Sequence, residues 1–353
     1  MSEKQTRLNG TEPVEKSSKK EVLKEIKRLT YPQDWTNYNL AQTQEKTIAE
    51  KLLLELLEAF ETNRKRHPNR KGATFRDKIY CMFIYNYSGY SSRRCISELK
   101  AAQQRKILDH VPHFNSVLNY FYDLETIKIL KKLIQITALP LKNIEVDFAT
   151  DSTGFSTSLF ERWLDIRTQK IGRKRHWKKC HAIVGVKSNI ITSVIITEGT
   201  DADSPHLVPL TMETTRFFDM KELSADKAYL SHDNLEHIAN LGAIPYIPFK
   251  SNSSPKAKGS IIWSRMFDYF LNNKERFLQS YHKRSNVEST FSMIKRKFGN
   301  NLRTKRDNSH INEILMKCLC HNLAVLVQES FELGLEIDFA NCAEIYFAQE
   351  EGC

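Results

Sequence analysis

Apolar residues recur every three or four positions from Tyr31 to about Leu139, which predicts helices over 46–62, 75–87, 91–102, 115–123 and 125–137. Between the first two lies NRKRHPNRKG, a basic loop broken by Pro and Gly. The segments SSRRCISELKAA and NSVLNYFYD, separated by a turn-like stretch containing Pro112, are a candidate helix-turn-helix, although such helix pairs occur in any α-domain. Pro140 marks a change of period. NIEVDFATDS alternates Ile144, Val146 and Phe148 with Glu145, Asp147, Ala149 and Asp151, the pattern of a strand that ends at Asp151. HAIVGV and IITSVIIT predict two further strands joined by the turn KSN. A helix over 204–216, a short strand ELSADKA ending in Asp226, the helix HDNLEHIANLG closed by Gly242, and the strand IPYIPF follow. Long helical segments then cover 262–298 and 309–328, with 300–308 looping between them. No internal repeat interrupts this order, which predicts an α/β fold: a mixed sheet flanked by helices and preceded by an α-helical region. Active groups gather at strand ends in such sheets, so Asp151, Asp226 and, on a following helix, Glu288 can meet at one point.

Composition narrows the partners. The 353 residues are 41% apolar and 10% aromatic, enough for a sizeable core. No stretch approaches the ~18 apolar residues that span a bilayer, and the first thirty residues lack the apolar core of a secretory signal. A cytoplasmic, reducing compartment is expected, and the seven cysteines fit free thiols. Cys318, Cys320 and His321 fall in the apolar run ILMKCLCHNLAVLV, where C-x-C-H lacks a zinc spacing and reads as core. Residues 1–28 alternate Lys with Glu, carry no aromatic, and read as a mobile tail. The formal net charge is +11, yet seven acids and no Lys or Arg follow Lys317. The rest of the chain is therefore strongly basic, and nucleic acid is the favoured partner. The acidic segment 331–353 suggests a tail that folds over the basic surface and competes with DNA.

The sharpest pattern is Tyr281, Arg284, Glu288 and Lys295, spaced Y-x2-R-x3-E-x6-K. On one continuous α-helix these side chains fall within about 60° of one another. An acid flanked by two cations and a phenol can bind a metal and hold a phosphate beside it; the plain alternative is an ordinary solvated charged face. Phosphodiester chemistry at such a site asks for Mg²⁺, with Mn²⁺ able to substitute, held by hard carboxylate oxygens. Asp147 lies on the same strand face as Asp151, so alternation alone does not choose between them. Asp201 and Asp203, beside Ser204 and Pro205, read as turn or capping residues.

TDSTGF (150–155), SADKAYLS (224–231) and the Tyr281–Lys295 pattern together resemble the three signature blocks of DDE-class insertion-sequence transposases, in the group with the Y-R-E-K signature. YPQDWTNYN, FNSVLNYFYD and PLKNIEVDFATDSTGF extend the resemblance over about 31–328. It implies a ribonuclease-H-like catalytic domain over 141–330 after a helical DNA-binding region over 29–140. It carries the catalytic, metal-holding acids to Asp151, Asp226 and Glu288, the DSTG context favouring Asp151 over Asp147. Tyr281, Arg284 and Lys295 then match residues that handle DNA near the cleaved end. The resemblance further implies cleavage at terminal inverted repeats, joining of the 3′-hydroxyl to target DNA, and a homodimer in a synaptic complex, in the cytoplasm on the nucleoid. Some relatives carry a large β-rich insertion before the glutamate; here only 61 residues separate Asp226 from Glu288.

KIGRKRHWKK adds Arg173, Lys174, Arg175, Lys178 and Lys179 around Trp177, a cluster suited to phosphates, with an indole able to stack on an exposed base. Two rivals keep the same residues: a repair or structure-selective nuclease of the same fold, and a domesticated DNA-binding protein that no longer cuts.

Overall fold

Local side-chain caps start several helices in the first third of the chain. In the computed structural model, which describes residues 34–63, 73–157, 177–255 and 260–351, α1 spans Trp35–Asn63, α2 Phe75–Ser88, α3 Ser92–Gln104, α4 Phe114–Tyr120 and α5 Leu124–Ala138. Thr74, Ser91 and Asp123 accept from backbone N–H groups within the first turn and start α2, α3 and α5. Gly89, at φ 67°, ends α2 in the left-handed region open to glycine. The stretch between α3 and α4 runs over 105–113, longer than the three or four residues of a helix-turn-helix. The expected tail 1–28 and the expected DNA contacts Arg173, Lys174 and Arg175 lie outside the described residues.

The sheet contains β1 Asp147–Ser156, β2 Trp177–Gly185, β3 Ile191–Glu198, β4 Glu222–Ala225 and β5 Ile244–Tyr246, in the order β3-β2-β1-β4-β5. The first three form an antiparallel meander, and β4 and β5 run parallel to β1. This is the ribonuclease-H-like arrangement, in which the central strand is flanked by one antiparallel and one parallel neighbour. Helices α6 (Leu207–Thr215) and α7 (His232–Asn240) fill the connections to β4 and β5. They are followed by α8 (Ile261–Asn272), α9 (Lys274–Tyr281), α10 (Ser285–Phe298), α11 (Asp307–Glu332) and α12 (Phe339–Glu351).

Four expectations are corrected. The first helix, expected over 46–62, begins at Trp35. β1 starts at Asp147 rather than near Ile144, and it does not end at Asp151 but pairs with β2 as far as Ser156, leaving Asp151 in mid-strand. Glu145, two residues before the strand, is fully buried: it accepts from the N–H of Lys187 and Ser188 and from the Ser188 hydroxyl, closing the β2–β3 turn. Gly185 gives it room, since a Cβ there would meet the Glu145 carboxyl carbon at 2.4 Å. The helix expected over 262–298 is broken at Asn273 and again by a 3-10 turn over His282–Arg284. The acidic C-terminal segment does not lie over the basic surface. It forms α12, which buries Phe339, Cys342, Ala343 and Tyr346 against α1 and α5 and ties Glu350 to Lys132 at 2.6 Å.

Helix α11 carries the shared core. It packs on α1, α2 and α5 and also reaches β2 and β3, so the N-terminal helices and the sheet share one apolar interior. Cys318 and Cys320 are buried in it, and His321 faces the Asn189 carbonyl at 2.9 Å. Among the described residues no helix is long and apolar enough to cross a membrane.

Candidate active site

Strand register brings the two aspartates together. Thr150 of β1 pairs with Ala225 of the parallel β4, so the next residues, Asp151 and Asp226, emerge side by side, about 5 Å apart in backbone spacing. Side chains alternate along β1: Asp147, Asp151 and Thr153 face α9 and α10, whereas Ser152, which pairs with His181, faces the other way.

On the α10 side, the broken helix still delivers the four spaced residues to one place. The 3-10 turn aims two consecutive cations at β1. Lys283 binds Asp147 at 2.7 Å and Glu222 at 2.6 Å, and Arg284 binds Asp151. Arg284 also holds Glu288, one turn into α10, at 2.6 Å, and lies 5.9 Å from the Tyr281 ring centroid. Lys295, two turns further on, donates to the Thr153 hydroxyl at 2.5 Å and sits over the Phe155 ring. Tyr281, Arg284, Glu288 and Lys295 thus line one surface with Asp151 and Asp226, although no single helix carries them.

Burial pushes the Asp151 carboxyl above its ordinary range. The charges of Asp226 and Glu288 add to the push, while the Ser152 N–H and Arg284 oppose it. Burial works against charge on Arg284, but Asp151, Tyr281 and Glu288 outweigh it and raise its pKa. Burial lowers that of Lys295 against a small opposing effect of Cys180. Among the described residues no three His, Cys, Asp or Glu side chains converge closely enough to grip an ion as they stand. The Arg284 guanidinium is interposed between Asp151 and Glu288. The donor set itself fits a hard divalent cation: three carboxylates, one of them half-buried and disfavoured as an anion by the other two.

The sequence that builds this site has counterparts among known proteins. A family model described as the transposase DDE domain matches residues 143–323, which is half of the chain and includes all three acids. The chain belongs to the DDE transposases. A protein of Archaeoglobus fulgidus named "Probable transposase for insertion sequence element ISA1214" is 22% identical over 202 residues, 57% of this chain and 60% of that protein. The match therefore spans less than two thirds of the relative's length.

Several residues of this DDE domain stand where the sequence did not suggest. Lys178, expected on DNA, is a correction: its side chain is buried at the start of β2 between Glu198 and Asp307, so its charge is matched by two acids. Lys179 reaches Asp203 at 2.7 Å and the Asp201 carbonyl at 3.1 Å. Trp177 remains 41% exposed and lies across Gly154, where a Cβ would meet its ring at 3.1 Å. Asp203, read as a capping residue, makes no side-chain cap. Its carboxylate contacts Lys179, Ser152 and, at 3.3 Å, the buried His181 ring, whose pKa burial and His206 lower to about 4. A polar network thus backs β1 on the face opposite Asp151. Lys283 was missed altogether, although it adjoins Arg284 in the spaced pattern and shares its 3-10 turn.

Proposed function

We propose that the chain cuts DNA at the ends of its own insertion sequence and joins the freed 3′-hydroxyl to target DNA, with Asp151, Asp226 and Glu288 holding Mg²⁺, or Mn²⁺ in its place. The observation that carries this reading is the β1–β4 register, with Asp151 beside Asp226 and Glu288 tied to the same point through Arg284. A divalent ion held by these oxygens supplies charge neutralisation at the phosphorus and an activated attacking oxygen. The chain's own residues supply the rest. Lys295, half-buried and without an ion-pair partner among the described residues, meets a phosphate of the bound end. Arg284 exchanges its carboxylates for a second phosphate, and Tyr281 beside it packs on the terminal nucleotide. Trp177 offers an exposed ring edge for an unpaired base.

Terminal inverted repeats and target DNA are the partners in this reading, and a homodimer that pairs two ends in a cytoplasmic, nucleoid-bound complex is its assembly. The helical region over 29–140 engages DNA, the domain over 141–330 cuts and joins, and 331–353 closes the core. The test uses a labelled duplex from the DNA flanking this reading frame, with Mg²⁺, with and without target DNA. Cleavage followed by a joined product supports the proposal. Cleavage with no joined product assigns a nuclease instead, and binding without cleavage leaves a DNA-binding protein.

A further inference from the structure

Several cations around the helical region are already neutralised. Lys46 pairs with Glu98, Arg105 with Glu50, Lys297 with Glu45, and Arg303 contacts Glu313. Three of the unpaired cations share one helix. Arg93, Arg94 and Lys100 are exposed on α3, and among the described residues none of them has an ion-pair partner. On this helix Arg93, Ser97, Lys100 and Gln104 fall within about 60° of one another, and all four side chains face solvent or its margin. The only acid of α3, Glu98, turns away to Lys46. The result is a polar, cationic face without an acid.

The segment that follows α10 packs beside the start of α3. After α10, which carries Glu288 and Lys295, the chain passes Gly299 and returns beside α3. Arg303 donates to the carbonyls of Tyr85 and Tyr90, immediately before the Ser91 cap of α3. Lys305 and Arg306 are exposed next to it, and Arg306 covers the Tyr122 ring at 4.4 Å, just past α4. Arg93 covers Phe114, at the other end of α4, at 4.8 Å. The acid in this loop, Asp307, is occupied by Lys178. The exposed Lys305 and Arg306 therefore lie on the segment that joins α10 to the start of α3 through Arg303.

We propose that the exposed face of α3, with Lys305 and Arg306, holds the phosphate backbone of the duplex whose end lies at Asp151. The proposal rests on the transposase reading and adds the surface that carries the DNA away from the site. Arg93 and Lys100 are about 10 Å apart along the helix axis, a length over which one DNA strand presents roughly three phosphates. Contacts to phosphates position a duplex and carry no sequence information. This face belongs to the first helix of the pair rather than the second, and the long 105–113 connection rules out a standard helix-turn-helix.

The test measures affinity of the full chain for duplex DNA by fluorescence anisotropy, in chelator, over a series of salt concentrations. One duplex carries the element's end and the other a random sequence. The triple variant Arg93→Gln, Arg94→Gln, Lys100→Gln is expected to lower the slope of log affinity against log salt by about 0.9 for each phosphate that is no longer neutralised. Affinity falls by the same factor on both duplexes, whereas Arg93→Lys, Arg94→Lys keeps the slope. Lys187→Gln, in the β2–β3 turn, leaves it unchanged. An unchanged slope in the triple variant overturns the proposal, as does a fall in affinity confined to the end duplex, which assigns base reading to this face. Because no divalent ion is present, the outcome does not depend on whether Asp151, Asp226 and Glu288 cut DNA.

Discussion

Two acids four residues apart on one face of β1 meet consecutive cations and end in different electrostatic states. Asp147 and Glu222 share Lys283, a compact cluster in which each carboxylate is within 2.7 Å of the ammonium and no third acid joins among the described residues. Asp151 shares Arg284 with Glu288 and also feels the charge of the neighbouring Asp226, so three carboxylates stand near a single guanidinium that pairs with two of them. The surplus is felt at Asp151, whose carboxyl is raised by burial and by both other acids. Opposite charge nearby is common to both positions and does not identify a reactive site. What separates them is the third carboxylate, Asp226, which leaves a larger surplus of negative charge around Asp151 that an added cation relieves.

The largest effect expected from this difference is on chemistry. Asp151→Asn, Asp226→Asn and Glu288→Gln should each lower end cleavage by about a thousandfold or more, the scale of losing a main electrostatic contributor. Duplex binding in chelator should persist. Cleavage by Asp226→Asn within tenfold of the parent would show that surplus charge does not mark the reactive acids, because β4 contributes Asp226 through register alone.

A buried acid with no cation at all among the described residues extends the comparison. Glu329 in α11 is nearly inaccessible, and burial, followed by Glu332 and Glu145, raises its pKa to about 7. Its folded value lies above the unfolded one. The stability it permits is therefore fully present below the ordinary carboxylate range and is lost as pH rises through about 7. Glu329→Gln should flatten that fall and stabilise the chain at pH 8 by on the order of 2 kcal/mol, read from denaturant melts at pH 5 and pH 8. Equal stabilities of parent and variant at pH 8 would show that Glu329 finds a counter-charge in solution.

A smaller, more diagnostic effect belongs to Arg284. With its guanidinium between Asp151 and Glu288, it competes with any divalent ion for the same oxygens. Arg284→Ala should bind Mn²⁺ or Ca²⁺ about tenfold more tightly than the parent in the absence of DNA, a difference of about 1.4 kcal/mol in titration calorimetry. End cleavage should nevertheless drop, since a phosphate of the bound end then has no guanidinium to meet. Weaker ion binding in the variant would mean that Arg284 organises the acids rather than opposing the ion.

How much of this was legible depended on whether the signal was local. The starts of α2, α3 and α5 were, because Thr74, Ser91 and Asp123 cap within one turn, whereas α1 begins at Trp35, well before the expected 46. The end of β4 was also legible, since ELSA is a short buried run that stops at Asp226. The true extent of β1 was not: Ser152, Thr153 and Gly154 look like a turn, and only pairing with 179–181 of β2 keeps them extended. The break at 282–284 left no mark, since His, Lys and Arg are acceptable helix residues and neither Pro nor Gly intervenes. Tertiary demand for two cations against β1 set the turn. The inward course of Lys178 was invisible for the same reason, because Glu198 and Asp307 are 20 and 129 positions away along the chain.

The smallest effect tests the quiet member of the pair. Asp147→Asn leaves Lys283 bound to Glu222, so one cation still meets one acid and no charge is stranded. The ammonium and both carboxylates are partly open to solvent, and pairs of that kind contribute about 1 kcal/mol or less. Stability should therefore change by under about 1 kcal/mol, and end cleavage should stay within about threefold of the parent. Lys283→Met is the sharper partner experiment, because it leaves Asp147 and Glu222 as neighbouring like charges and should cost more than Asp147→Asn does. If Asp147→Asn instead stopped cleavage while Asp151→Asn did not, the strand would be carrying its reactive acid four residues earlier, at the start of β1 where Lys283, not Arg284, controls the charge.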